Sequence, residues 1–144
     1  MTVERTDRIG FGDLRLIQRP EDFCYGIDAV ILADFAAGGI KSTDTVMDLG
    51  TGNGIIPLIL SHKTLAKQIY GIEVQKEAYD VACKNIQENR LNPRITIIHG
   101  NVRDLGIRIY PELNGILDSV LSNPPYIAEH EYATLPPEVL AKLR

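Results

Sequence analysis

Three groups of residues in this sequence combine types and spacings that can do chemistry. The first is Asp48-Leu49-Gly50-Thr51-Gly52-Asn53-Gly54, an aspartate followed by glycines at every second position. Glycine carries no Cβ, so the backbone there can turn sharply and lie directly against a ligand that side chains would hold off. The second is Glu73, nineteen residues beyond Gly54. A carboxylate at that distance from a glycine loop can accept hydrogen bonds from both hydroxyls of a ribose, and the pair implies a nucleotide-type cofactor. The third is Asn123-Pro124-Pro125-Tyr126. Two prolines fix the backbone, end a strand and leave carbonyls free to point into a cleft. An amino group conjugated to a ring or a carbonyl is a poor nucleophile because its lone pair is delocalised. The Asn123 side-chain oxygen and the Pro124 carbonyl can accept its two hydrogens and so aim that lone pair, with no strong base needed. Tyr126 offers a flat face for a planar substrate to stack on.

These groups are useful only if the chain brings them to one place, and the apolar pattern predicts how. Four runs read as strands: Thr45 to Leu49, Gln68 to Glu73, Arg94 to His99 and Ile116 to Ser122. Helical segments are predicted from Gly54 to Ser61 and from Lys76 to Asn89, the latter with Ala78, Val81, Ala82 and Ile86 at helical spacing. Strands alternating with helices imply parallel βαβ units with right-handed crossovers. The first of these strands then lies centrally, and the strand carboxyl ends share one rim, where open α/β sheets bind ligands. Asp48 to Gly54, Glu73 and Asn123 to Tyr126 all fall on that rim. Upstream, Arg8 to Arg19 alternates as Ile9, Phe11, Leu14 and Leu16 and predicts a short β-hairpin. Asp28 to Ala37 reads as a helix with Asp28 as its N-cap and Gly38-Gly39 as a left-handed stop.

Length and composition bound the alternatives. A chain of 144 residues has room for one domain with a real core. Its 44% hydrophobic and 24% charged residues are near the soluble average, and no run approaches the roughly 20 apolar residues of a membrane helix. With no apolar stretch behind Met1 to Arg5, the expectation is a cytoplasmic protein. Cys24 and Cys83 have no Cys-x-x-Cys spacing and read as buried free thiols, and His62, His99 and His130 form no ligand pair, so no metal is expected. A net charge of −4 argues against an overall basic coat for nucleic acid.

The loop Asp48 to Gly54 resembles motif I of class I S-adenosylmethionine-dependent methyltransferases more than the Gly-x-Gly-x-x-Gly of dehydrogenases, because its glycines are evenly spaced and follow a strand-end aspartate. The resemblance runs from about Tyr25 to Tyr126. It implies a Rossmann-like α/β fold and S-adenosyl-L-methionine as cofactor, with the methionine part passing Asp48, Gly50, Thr51, Gly52 and Gly54 and the ribose held by Glu73. No phosphate needs neutralising, which agrees with a loop that contains no lysine or arginine. His99-Gly100-Asn101-Val102 resembles the segment that brackets adenine, with Asn101 where an aspartate is common; an amide oxygen can still accept from the base amine, and Asp104 is the alternative. The resemblance also gives the Asn123 to Tyr126 motif its electrophile, a methyl on a sulfonium.

Two branches of that family compete for the substrate. Arg19 to Phe35 resembles bacterial transfer-RNA (adenine-N6)-methyltransferases that act beside the anticodon of a valine tRNA; these also start with a short β lead, and the likeness makes Tyr25, Gly26 and Asp28 lid residues over the cofactor. Asn123 to Val139 is similar to protein-(glutamine-N5) methyltransferases that modify peptide-chain release factors. An amide nitrogen poses the same electronic problem as the adenine amine. The release-factor enzymes usually carry a helical amino-terminal domain for which there is no room before Tyr25, so tRNA ranks first as partner. The expected organisation is a hairpin lead over residues 1–24 and a methyltransferase domain over 25–144. That fold normally has three more strands, so the domain is expected to stop short after the fourth, leaving a sheet edge open to association and an inactive cofactor-binding fragment as a further alternative.

Overall fold

The computed structural model describes residues 4–18 and 26–123. Two short strands, β1 (Arg5–Arg8) and β2 (Arg15–Gln18), form an antiparallel hairpin. There follow α1 (Ile27–Ala37), β3 (Thr45–Leu49), α2 (Ile55–Lys63), β4 (Gln68–Glu73), α3 (Lys76–Glu88), β5 (Ile95–His99) and, after two 3-10 turns, β6 (Ser119–Ser122). The four later strands make one parallel sheet in the order β5-β4-β3-β6, so β3 is central as expected from right-handed βαβ units. The fold is the α/β, Rossmann-like one read from the sequence.

Each central strand feeds two cores. On β3, Val46 joins one cluster and Met47 the other, both fully buried, because successive side chains point to opposite faces. The larger core joins Ala29 and Ala33 of α1, Ile55 to Leu60 of α2, Ile86 of α3 and the hairpin residues Ile9 and Leu16. Residues 55–60 of α2 are all buried, which suits a helix apolar on every side. On the opposite face Met47, Ile72 and Ile98 are covered by Leu105, Ile109, Leu113 and Leu117, from the irregular segment around the 3-10 turns Val102–Asp104 and Pro111–Leu113. The end of α2 is closed by Arg94, whose guanidinium donates to the carbonyls of Ser61, Thr64 and Ala66 at 2.8–3.0 Å.

Several boundaries differ from expectation for local reasons. The strands flank Ile9 to Leu14 instead of containing it: Gly10 and Gly12 adopt positive φ and bend the chain, so Ile9 plugs the core from the turn. Helix α1 starts at Ile27 with Gly26 as N-cap; Asp28 sits inside the first turn and makes no side-chain cap. Its carboxylate lies where a Cβ on Gly26 would be 2.8 Å away. At the other end Gly38 is right-handed, with φ −63, and Gly39 N–H donates to the Ala36 carbonyl, so the helix ends in a tight turn and not a left-handed stop. The fourth predicted strand is shorter than Ile116 to Ser122. Gly115 turns the chain at φ 82 and Leu117 packs on the second core; Asp118 N–H donates to the Thr45 carbonyl and the Asp118 carboxylate accepts from Thr45 N–H, both at 2.8 Å, and the paired register with β3 begins at Ser119. Cys83 is free but only half-buried, and Cys24 lies outside the described residues. Among the described residues no helix is long and apolar enough to cross a membrane.

Candidate functional site

The sheet register sets the carboxyl rim residue by residue. Leu49 pairs with Ser122 on one side and Ile72 on the other, and Glu73 pairs with His99. One step on, Asn123, Gly50, Glu73 and His99 therefore stand level along the rim. With about 4.8 Å between neighbouring strands, Asn123 and Glu73 backbones are about 10 Å apart with the glycine loop between them.

The loop itself is tightly specified. Gly50, Gly52 and Gly54 have φ of 67, 59 and 87, a left-handed region that an L side chain enters only under strain. Three backbone donors then fix its path: Thr51 N–H to the Ile72 carbonyl, Gly52 N–H to Glu73 Oε1 at 2.8 Å, and Gly54 N–H to the Thr51 carbonyl. Glu73 is 2% exposed, and its second oxygen accepts from Gln75 N–H at 2.9 Å. The carboxylate is thus held at both oxygens by backbone, each with a lone pair left over for a ligand hydroxyl. It orients the loop as well as lying beside it, a role that spacing alone did not reveal.

Beneath the loop lies an unpaired polar pair. Asp48 is 1% exposed, its Oδ1 has no hydrogen-bond partner, and neither has the Thr51 hydroxyl. Burial pushes the Asp48 carboxyl up to about 7, the nearby Thr51 hydroxyl moderates the rise without a hydrogen bond of regular geometry, and the Glu73 charge adds to it. Gly71 on β4 leaves the space for Thr51: a Cβ there would come within 2.9 Å of its side chain. Buried polar atoms without partners are uncommon and costly, and this pair fits a site that receives polar groups from a ligand.

The remaining predicted residues fall as follows. Asn101 follows β5, but its Oδ1 accepts from Arg103 N–H at 2.9 Å and caps the 3-10 turn. Val102 is exposed on that turn, and Val74, directly after Glu73, is exposed to a similar degree, 45% and 49%. Val74 was not singled out from the sequence; an apolar residue placed just after a strand-end acid was its signal. Asn123 is half-buried at the end of β6. Tyr25, Pro124, Pro125 and Tyr126 lie outside the described residues. Sequence reasoning also passed over Asn85, a fully buried asparagine on α3 that donates to the Asn53 carbonyl in the loop at 2.8 Å. Among the described residues no three His, Cys, Asp or Glu side chains come together to hold a metal ion.

Comparison with known proteins places these features in context. The family model described as methyltransferase small domain matches residues 29–141. A release factor glutamine methyltransferase of Chlorobaculum tepidum is 34% identical over 106 residues, covering 72% of this chain and 35% of the relative. A tRNA1(Val) (adenine(37)-N6)-methyltransferase of Flavobacterium johnsoniae is 31% identical over 109 residues, covering 76% of this chain and 44% of the relative. The chain spans less than half the length of these curated relatives. Among solved structures, TYW2 of M. jannaschii in complex with AdoMet superposes with a TM-score of 0.70 at 21% identity, covering 92% of this chain and 56% of that one, a likeness of fold.

Proposed function

The chain belongs to the methyltransferase small domain family, and from that membership we propose that it binds S-adenosyl-L-methionine on the carboxyl rim and takes part in methylating a conjugated amine nitrogen, an adenine in tRNA. The observation that carries this reading is the shared level of Asn123, the glycine loop and Glu73 on the rim. A span of about 10 Å suits a ligand whose ribose lies at one end and whose reactive group lies at the other.

S-adenosyl-L-methionine supplies a methyl group made electrophilic by its sulfonium. The chain's own residues do the positioning. Glu73, already held by Gly52 and Gln75 N–H, presents its free lone pairs to the ribose hydroxyls. Backbone of Gly50 to Gly54 lines the path of the methionine part, and Asp48 and Thr51 offer their unpaired polar atoms beneath it. Val74 and Val102 give the apolar contacts for the base, with the Asn101 amide oxygen or Asp104 as acceptor. Asn123 and the Pro124 carbonyl accept the two hydrogens of the acceptor amine, and Tyr126 stacks on its ring, so that transfer depends chiefly on orientation. Tyr25, Gly26 and Asp28 serve as a lid.

The amino-terminal hairpin favours tRNA, since a short β lead is what the likeness to the tRNA enzymes implies. A second reading, glutamine N5 methylation of a release factor, is favoured by the relative from Chlorobaculum tepidum. The test is methyl transfer from radiolabelled S-adenosyl-L-methionine, offered unmodified bacterial tRNA in one tube and a release factor in another, with Asn123→Ala as control. Label on tRNA supports the first reading and label on the release factor the second. Cofactor bound with no label in either tube would show a cofactor-binding piece that needs further chain or a partner for turnover, and no cofactor bound would overturn the proposal.

A further inference from the structure

Besides the core contacts of Ile9 and Leu16, the hairpin is held by two asparagines one turn apart, Asn85 on α3 and Asn89 at its C-cap. Asn89 accepts from Arg15 N–H at 3.0 Å and donates to the Arg15 carbonyl at 2.8 Å. Asn85 accepts from Ile17 N–H at 2.6 Å and donates to the Ile17 carbonyl at 3.1 Å. Each amide therefore does for one residue of β2 what a neighbouring strand would do, at alternate residues, as a ladder requires. The spacing of four residues on the helix matches the spacing of two on the strand, about 6 Å against about 6.7 Å.

The two asparagines differ in one respect. The second amide hydrogen of Asn89 goes to the Asn85 carbonyl within α3, whereas that of Asn85 goes to the Asn53 carbonyl in the glycine loop. Asn85 is fully buried and all three of its side-chain bonds lead away from its own helix, to the hairpin and to the loop. That loop holds three left-handed glycines, a conformation with little intrinsic preference over others, so each external bond counts in keeping it. Losing the Asn85 amide would leave the Asn53 carbonyl without that bond just before the Gly54 cap of α2.

Building on the proposed cofactor site, we propose that Asn85 is a positioning residue for that site, coupling the docked amino-terminal hairpin to the geometry of the glycine loop. The hairpin then contributes to cofactor affinity without touching the cofactor. Asn89 supplies the control, since it anchors the same hairpin and has no bond to the loop.

The experiment compares Asn85→Ala and Asn89→Ala with the parent chain by amide hydrogen exchange and by calorimetric titration with S-adenosyl-L-methionine. In Asn85→Ala the hydrogen-bonded amides of Thr51, Gly52 and Gly54 exchange faster and affinity falls about five- to tenfold, as expected for a lost hydrogen bond. In Asn89→Ala the loop amides keep their protection and affinity stays within about twofold. Equal loop protection in the two variants, or an unchanged affinity in Asn85→Ala, overturns the proposal. Should Asn85→Ala fail to fold, the parent chain still decides it, because coupling is reciprocal. Saturation with S-adenosyl-L-methionine should then slow exchange of Ile17 N–H more than that of Arg15 N–H, and equal effects at both would refute the coupling. If no cofactor binds to any form, the cofactor reading and the positioning role that rests on it both fail, while faster loop exchange confined to Asn85→Ala would still show that Asn85 holds the glycine loop.

Discussion

Replacing Asp48 by asparagine tests the electrostatics of the site most directly. Asp48 is buried near the carboxyl end of β3, Oδ1 has no hydrogen-bond partner, and the carboxyl is raised from 3.8 to about 7 chiefly by burial, with Glu73 adding to the rise. The folded protein therefore keeps a proton on this group up to about pH 7, whereas the unfolded chain releases it near 3.8. Between those values the native state binds more protons than the unfolded state, so stability from this group falls as pH rises. The interval is about three pH units, each worth about 1.4 kcal/mol, which makes at most about 4 kcal/mol of penalty above pH 7. Asparagine has nearly the same shape and never ionises. Asp48→Asn should match its parent within about 1 kcal/mol at pH 4 and exceed it by up to about 4 kcal/mol at pH 8, a rise in Tm on the order of 10 °C. Urea unfolding at the two pH values, with fluorescence of the tyrosines as the probe, reads the difference. A gap that is the same at both pH values, or a variant less stable than its parent at pH 8, would refute the account of Asp48 as a buried, unpaired acid.

Further outcomes follow from neighbouring contacts. Glu73→Gln removes a charge that adds to the burial-driven rise of the Asp48 carboxyl, so its folded-state value should drop and the decline of stability with pH should be smaller and level off at a lower pH than in the parent, read in the same unfolding series. Glu73→Ala takes the acceptors from Gly52 and Gln75 N–H as well as from the ribose, and calorimetry should show cofactor binding weaker by about 1–3 kcal/mol; an unchanged affinity would remove Glu73 from the site. Asn123→Ala should leave cofactor affinity within about twofold and abolish transfer, because its amide is assigned to the acceptor nitrogen; surviving turnover would make the residue structural. Gly71→Ala puts a Cβ within 2.9 Å of the buried Thr51 side chain and should cost about 1–3 kcal/mol in urea unfolding, with no loss expected if Thr51 can move aside.

Much of the rim was legible in the sequence because its requirements are local. Evenly spaced glycines after Asp48 permit a sharp turn against a ligand, and Gly50, Gly52 and Gly54 make it in the left-handed region. Apolar runs of strand length separated by helical periods specify parallel βαβ units, so β3 comes to lie between β4 and β6 and Glu73 reaches the rim. Boundaries set by competing partners were less legible. Asp28 has the chemistry of an N-cap, yet Gly26 takes that place; Ile116 and Leu117 have strand character, yet the turn at Gly115 gives Leu117 to the second core.

By itself, then, the sequence determined the order of elements, the parallel sheet and which residues stand at its carboxyl edge, since these follow from periodicity and from the conformations that glycine and proline allow. Only the tertiary structure decided what those residues touch. It placed both oxygens of Glu73 on backbone donors, left Asp48 buried without a partner for Oδ1, and turned the Asn101 oxygen onto Arg103 N–H. It also made Asn85, an ordinary polar residue in a helical pattern, the bridge between Ile17 and Asn53, 36 residues apart along the chain. The physical reason is that hydrogen-bond partners and burial depend on which distant segments pack together, and no local pattern encodes that pairing.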